Sequence, residues 1–187
     1  RVAVTIDGPV EVKSGETVEY LVRYRNDERV PLAAASLQIR LPKNFTLVKT
    51  EPAASEARLI WTIGSIAPGK DGSIRVRGVL LAATGKTVDL QAILTYRPAD
   101  FNSEFQKVST MAITVKDSVL ELNLIGPPKV LPDDKVTLQI AYHNPSELDF
   151  ANTVIQAILP ETFIVESATP ALAREDRVEW SIEKLSA

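Results

Sequence analysis

The sequence predicts an all-β protein of two tandem sandwiches, the second incomplete at its C-terminus. Three observations predict it: an internal repeat, period-2 alternation of apolar residues, and turn residues at regular spacing. The repeat comes first, because a missed repeat misassigns the whole fold. Gly8 to Asn26 lies over Gly126 to Asn144 at a constant offset of 118, with Gly8, Pro9, Val12, Val18, Tyr24 and Asn26 meeting Gly126, Pro127, Val130, Val136, Tyr142 and Asn144. The register persists through Leu41-Pro42 on Leu159-Pro160, Phe45 on Phe163, and Glu51-Pro52-Ala53 on Thr169-Pro170-Ala171. After one inserted residue, Trp61-Thr62-Ile63 meets Trp180-Ser181-Ile182.

Each copy then resolves into strands. Val18, Tyr20, Val22 and Tyr24 fall on one side and Glu19, Arg23 and Arg25 on the other, the pattern of a half-buried strand. The second copy keeps the pattern with new residues: Val136, Leu138, Ile140 and Tyr142 inward, Thr137, Gln139 and His143 outward. Further alternating runs are Leu37/Ile39/Leu41, Leu59/Trp61/Ile63, Ile74/Val76, Val88/Leu90/Ala92/Leu94/Tyr96 and Met111/Ile113/Val115. Turn signals separate them at Lys13-Ser14-Gly15, Pro42-Lys43-Asn44, Pro68-Gly69, Thr84-Gly85-Lys86 and Arg97-Pro98-Ala99-Asp100. No stretch reads as an amphipathic helix of three turns. Short strands at this spacing predict sandwiches of immunoglobulin-like topology. Gly8-Pro9 and Gly126-Pro127 break the first strand of each copy and let it switch sheet edges, since Pro cannot donate to a ladder.

The polar stretch inside Val115-Lys116-Asp117-Ser118-Val119 is the expected junction, giving domains 1–116 and 117–187. So short a connection, without Gly or Pro, predicts a stiff end-to-end rod. The second copy stops where the first still has its Ile74, Val88 and Met111 strands to come. A sandwich cut there exposes core and sheet edges. The expectation is that the natural protein continues past Ala187 or that another chain supplies these strands; the start at Arg1 likewise suits a processed or excised piece.

Composition narrows the function. The 187 residues carry 21 Lys plus Arg against 24 Asp plus Glu, a net charge of −3, with no dense basic cluster, which argues against a nucleic-acid partner. With no Cys, thiolate metal sites, disulfides and cysteine nucleophiles are excluded; one His cannot build a multi-histidine metal site. No apolar run approaches the roughly 18 residues of a membrane span.

Ser14-Gly15-Glu16-Thr17-Val18 with Tyr20, Tyr24 and Asn26, then Leu41-Pro42 and Phe45, then Trp61-Thr62-Ile63-Gly64-Ser65-Ile66-Ala67-Pro68-Gly69, resembles one group. This is the tandem immunoglobulin-like repeat of bacterial and archaeal surface proteins known as domain of unknown function eleven. The second copy is similar more loosely, with Pro132-Asp133 in the first turn and Glu183-Lys184 in place of Gly64-Ser65. The resemblance covers nearly the whole chain and implies a secreted or surface-anchored repeat module. Its motifs serve turns and core packing, and it carries over no catalytic residue.

Several residues invite a functional reading. Asp27, Asp100, Asn102 and Glu104 lie in loops that an immunoglobulin-like sandwich brings to one pole, where alternate oxygens suit a hard cation such as Ca²⁺; the Gly and distal Glu of an EF-hand loop are missing, and an ordinary solvated acidic loop is the simpler reading. Leu148 and Phe150 form an apolar pair in the corresponding loop of the second copy and predict a contact with the preceding domain, at Ala82, Ala83 or Pro52. His143, the lone imidazole, corresponds to the outward Arg25 and reads as a surface position. Trp61 and Trp180 share one inward phase and read as core anchors rather than a sugar platform. Arg23, Arg25, Arg75 and Arg77 form an outward basic row that suits either an anionic glycan or a solvated, aggregation-resistant face. Asn44-Phe45-Thr46 matches a glycosylation acceptor, and Lys13 and Lys107 are the donors an isopeptide staple would need.

No nucleophile elbow, HExxH, phosphate-cradling loop or paired-carboxylate motif occurs. The expected function is a non-catalytic extracellular spacer, part of a surface protein or adhesin stalk, whose partners are neighbouring repeats. The alternatives are a cohesin-like module binding protein or glycan, and an accessory domain of a larger secreted enzyme. No cofactor is required beyond the candidate calcium.

Overall fold

The alternation that begins at Val18 becomes one ten-residue strand, Thr17–Asn26, whose inward Val18, Tyr20 and Val22 are all buried. The computed structural model describes residues 1–55, 58–169, 172–173 and 177–187. It divides into two units, Arg1–Ser118 and Val119–Ala187. The boundary falls two residues later than expected. Lys116, Asp117 and Ser118 are no linker: they extend the last strand of unit 1, where Asp117 and Ser118 pair with Lys13 and Ser14.

Unit 1 holds β1 (Val2–Asp7), β2 (Glu11–Ser14), β3 (Thr17–Asn26), β4 (Leu32–Arg40), β5 (Phe45–Glu51), β6 (Ile60–Ile66), β7 (Asp71–Leu80), β8 (Thr87–Pro98) and β9 (Phe105–Ser118). One sheet runs β1-β3-β7-β5 and the other β2-β9-β8-β4-β6. Between them Tyr20, Val22, Leu37, Ile39, Ile74, Val76, Leu90, Leu94, Ile113 and Val115 form a buried core. Each such side chain is worth about 1.5–3 kcal/mol over leaving it in water. The break at Gly8-Pro9 does what its chemistry requires: β1 edges one sheet and β2 the other. Gly8 is needed for a second reason, because a Cβ there would run into the Tyr20 ring. The Tyr20 hydroxyl donates to the Pro9 carbonyl at 3.1 Å, fastening the switch to the core.

The five expected turns of unit 1 all close. Glu16 N donates to Lys13 O, Phe45 N to Pro42 O, Lys70 N to Ala67 O, Lys86 N to Ala83 O, and Phe101 N to Pro98 O. Gly15, Gly69 and Gly85 take the left-handed conformation in three of them, which L side chains enter only at a cost. β5 was not marked by alternation. It is an edge strand with Leu47 and Val48 exposed, so no buried face writes a period into its sequence.

Unit 2 holds β10 (Glu121–Ile125), β11 (Gln139–His143), β12 (Phe150–Ile158), β13 (Leu172–Ala173) and β14 (Arg177–Leu185). They form a two-stranded sheet, β10-β11, and a three-stranded one, β12-β14-β13. The repeat is written into the ladder register. Leu37 faces Trp61 as Ile155 faces Trp180, and Leu32 faces Ile66 as Phe150 faces Leu185. Backbone irregularities recur too: Ala34 and Asn152 sit at φ 51° and 52°, and Gly15 and Asp133 at 88° and 66°. The match of Pro170 and Ala171 to Pro52 and Ala53 lies outside the described residues. Among the described residues, no helix is long and apolar enough to cross a membrane.

Candidate functional site

The end of β3 organises one pole of unit 1. Asn26 is fully buried. Its Nδ2 donates to the carbonyls of Val30 at 3.0 Å and Ile66 at 2.9 Å, while its Oδ1 accepts from Glu28 N at 2.9 Å. Its backbone N donates to Lys70 O and its backbone O accepts from Gly69 N. One side chain thus ties the β3–β4 loop to the end of β6, and every polar atom it buries is satisfied. The β8–β9 hairpin arrives at the same pole, where Ala99 N donates to Pro31 O at 3.0 Å.

That hairpin carries an aromatic cluster. Tyr96 and Phe105 face each other across the ladder and stack with ring centroids 6.1 Å apart. Phe101 meets Phe105 edge-on at 5.8 Å. Phe101 and Phe105 are 56% and 41% exposed, so this is surface rather than core. Burial, then the Glu28 carboxylate, push the Tyr96 hydroxyl above its ordinary pKa, and it stays a neutral donor. Tyr96 belongs to the alternation of β8, whereas Phe101 lies in the acidic loop and Phe105 opens β9. The signal for them was two Phe within five residues of a hairpin tip.

The expected cation site is not assembled. The two loops share a pole, as the topology required. Yet Asp27 Oδ1 accepts from Arg25 Nε at 2.6 Å, and Asp100, Asn102 and Glu104 are all exposed. Among the described residues no three His, Asp or Glu side chains gather as ligands. The structure thus leaves Asp27 paired with Arg25 and does not gather it with Asp100, Asn102 and Glu104 among the described residues.

The basic row is likewise engaged. Arg23 pairs with Asp7 at 2.8 Å, and Arg75 with Glu19 at 2.9 Å and Glu51 at 3.3 Å. Lys49 and Arg75 hold the Glu51 carboxyl below its ordinary pKa. These are exposed pairs of small energetic weight, and they give the outer sheet face a mixed charge. Trp61 is buried, its Nε1 donating to Pro52 O at 3.0 Å; Trp180 is half-buried in the same ladder position. His143 is exposed, opposite Glu121. Lys13 and Lys107 are exposed and so lack the buried acid an isopeptide needs; Asn44 is exposed in the turn before β5.

In unit 2, Phe150 is no loop residue: it opens β12 as Leu32 opens β4. The Leu148 carbonyl accepts from Asn144 Nδ2 at 2.8 Å. Asn144 also donates to Leu185 O at 3.3 Å and accepts from Ser146 N at 3.1 Å. In the sequence, Asn26 and Asn144 mark the repeat, and Asn26 belongs to the motif of the resemblance as well. Their role shows in sequence as a polar residue closing an otherwise alternating strand.

No protein-family model matches the chain, and no curated protein matches it. Among solved structures it is similar to AvmM, which catalyses macrocyclization in alchivemycin A biosynthesis, with 14% identity, 62% of this chain and 89% of that one covered, and a TM-score of 0.43. It is also similar to a cohesin module of a Clostridium perfringens family 33 glycoside hydrolase, at 12% identity, 63% and 98% coverage, and a TM-score of 0.41. A third is a CARDB domain from Pyrococcus furiosus in complex with di-metal ions, at 14% identity, 63% and 94% coverage, and a TM-score of 0.39. Likeness this distant transfers no residue role.

Proposed function

We propose that the chain is a non-catalytic, extracellular structural repeat that spaces other parts of a surface or secreted protein. The observation that carries this is the pairing of β2 with β9. It is the only parallel pairing among the described strands of unit 1, and it joins the unit's entering and leaving segments. The chain enters unit 1 where Val2 faces Asn26 and leaves at the opposite pole, where Ser118 faces Ser14. β3 joins the poles with ten residues, roughly 33 Å at the usual strand rise.

A pull on the two ends draws β2 and β9 past each other along their length. The bonds between them are then loaded together, whereas a hairpin pulled open loses them one at a time. Buried Val12 and Val115 and the Lys116–Glu11 pair at 3.1 Å add to the joint. The resemblance to tandem surface repeats supports the extracellular setting. Since the chain contains no Cys, cysteine handles can be placed at will. Single-molecule pulling through residues 1 and 118 should give a higher peak force than pulling through Lys86→Cys and Lys116→Cys, which opens the β8–β9 hairpin. Equal forces at one loading rate would refute the mechanical reading.

The exposed Phe101 and Phe105, backed by the half-buried Tyr96, favour a second reading, a module that binds protein or glycan through this hairpin. Glycan-array binding lost in a Phe101→Ala, Phe105→Ala variant would select it.

A further inference from the structure

We propose that Asn44 is the acceptor of an N-linked glycan and that this glycan shields the edge of β5. The setting rests on the extracellular reading above; the test is independent of it, because the expression host supplies the export. Six asparagines occur in the chain, and two have a hydroxyl residue two positions on: Asn44-Phe45-Thr46 and Asn144-Pro145-Ser146. The second is disqualified twice. Proline holds the middle position, which the acceptor motif excludes. The Asn144 side chain is also buried, with Nδ2 and Oδ1 both in hydrogen bonds.

Asn44 is the opposite case. Its turn closes with Phe45 N donating to Pro42 O at 3.0 Å, and its own carbonyl accepts from Leu81 N at 2.9 Å, so the backbone is held while the side chain is exposed. Among the described residues no hydrogen bond engages the Asn44 amide or the exposed Thr46 hydroxyl. Phe45, between them, packs inward, its ring centroid 6.4 Å from that of Tyr20 and its edge over Gly78. A bulky group on Asn44 therefore breaks no bond of the fold.

The donor is a polyprenyl-phosphate-linked oligosaccharide, transferred by an oligosaccharyl transferase. Asn44 Nδ2 attacks the anomeric carbon. The new C–N bond replaces the C–O bond to the lipid phosphate, which leaves with the electron pair, and one amide proton passes to base. The Thr46 hydroxyl is the group the transferase reads. The product is neutral, bulky and hydroxyl-rich.

The place of that bulk matters because β5 ends the sheet β1-β3-β7-β5 and, among the described residues, pairs only with β7. Charge and bulges are the usual guards of such an edge. β5 has both, but only beyond Leu47: the register shift falls between Leu47 and Lys49, and the charges are Lys49 and Glu51. Phe45-Thr46-Leu47-Val48 carries no charge, and Leu47 and Val48 are 38% and 55% exposed. Asn44 stands immediately before this unguarded half. Its counterpart and that of Thr46 in unit 2 are Thr162 and Ile164, so the chain offers one acceptor.

The full chain, secreted from a eukaryotic host, should carry one glycan by intact mass. Peptide-N-glycosidase should release it and convert the acceptor amide to a carboxylate. Asn44→Gln and Thr46→Val should abolish the glycan, and Thr46→Ser should keep it. Unmodified Asn44 in the secreted parent overturns the assignment, whatever the native location of the protein. On heating, the Asn44→Gln protein should aggregate roughly twice as fast as the glycosylated parent or faster, as an unguarded edge does. Adding Val48→Lys to that variant should return the rate to the parent's. Equal aggregation of parent and variant, or no effect of Val48→Lys, overturns the shielding.

Discussion

Asn26 and Asn144, at the ends of β3 and β11, make the same three side-chain hydrogen bonds. Each donates through Nδ2 to a carbonyl four residues on, at Val30 or Leu148, and to the strand that follows, at Ile66 or Leu185; each accepts from the amide two residues on, at Glu28 or Ser146. A buried amide that satisfies three backbone groups at once is hard to replace, since no apolar residue can answer them. This corner holds the β3–β4 loop and the pole of each unit in place.

Asn26→Ala should cost unit 1 about 3 kcal/mol, because it strands two carbonyls and an amide where little water reaches. Asn144→Ala should cost less. Ser146 Oγ already lies 3.0 Å from Leu148 O and can serve it alone. Urea unfolding of the Asn26 variant, and faster amide exchange at Ser146 in the Asn144 variant, are the measurements. An Asn26 variant as stable as the parent would show that water replaces the amide.

Ala34 and Asp133 spend stability on left-handed backbone, at φ 51° and 66°. Their counterparts, Asn152 and Gly15, are residues that enter that region more easily. Ala34 is exposed, so nothing crowds a new side chain. Ala34→Gly should raise the stability of unit 1 by about 0.5–1 kcal/mol, and Ala34→Asn by somewhat less. Asp133→Gly should slow amide exchange around the 131–134 turn. A lower melting temperature for both Ala34 variants would mean the bulge needs its methyl.

Both the repeat and the sheet switch at Gly8-Pro9 were legible because each is a local chemical fact: glycine and proline punctuate, and alternation marks a face. The pairing of β2 with β9 was not, since partners a hundred residues apart leave no mutual trace in one sequence. β5 escaped for want of a buried face. At the pole, loop convergence followed from topology, but the Arg25–Asp27 pair depends on side-chain reach that periodicity does not report. Phe150 was misplaced in a loop because its alternation starts there and extends only forward.

Tyr20 should make stability fall on the alkaline side. Burial, then Glu16, raise its hydroxyl from an ordinary 10.0 to about 12. Folding thus favours the protonated form, so this contribution is complete below about pH 10 and is lost as pH climbs towards 12. Tyr20→Phe should flatten the fall over that window, at the expense of about 1 kcal/mol from the lost bond to Pro9 O. Urea midpoints between pH 9 and 12 give the comparison, and parallel curves for the two proteins would sink it. Tyr24 and Tyr96, raised in the same direction, leave part of the slope in the variant.

Calcium should leave the protein unmoved. For Asp27 to ligate a cation it must first give up the 2.6 Å bond from Arg25, a charge-assisted contact already doing for it what the metal would. The remaining oxygens of Asp100, Asn102 and Glu104 lie on one exposed hairpin loop, and a Ca²⁺ ion wants six to eight oxygens around it. Ligand binding to the native state alone raises stability in proportion to the logarithm of concentration over dissociation constant. Millimolar calcium is therefore expected to leave the melting temperature of the chain unchanged, in the parent and in an Arg25→Gln variant alike. A rise in the variant alone would identify Arg25 as the guard of a latent site; a rise in the parent would restore the acidic loop as a metal centre.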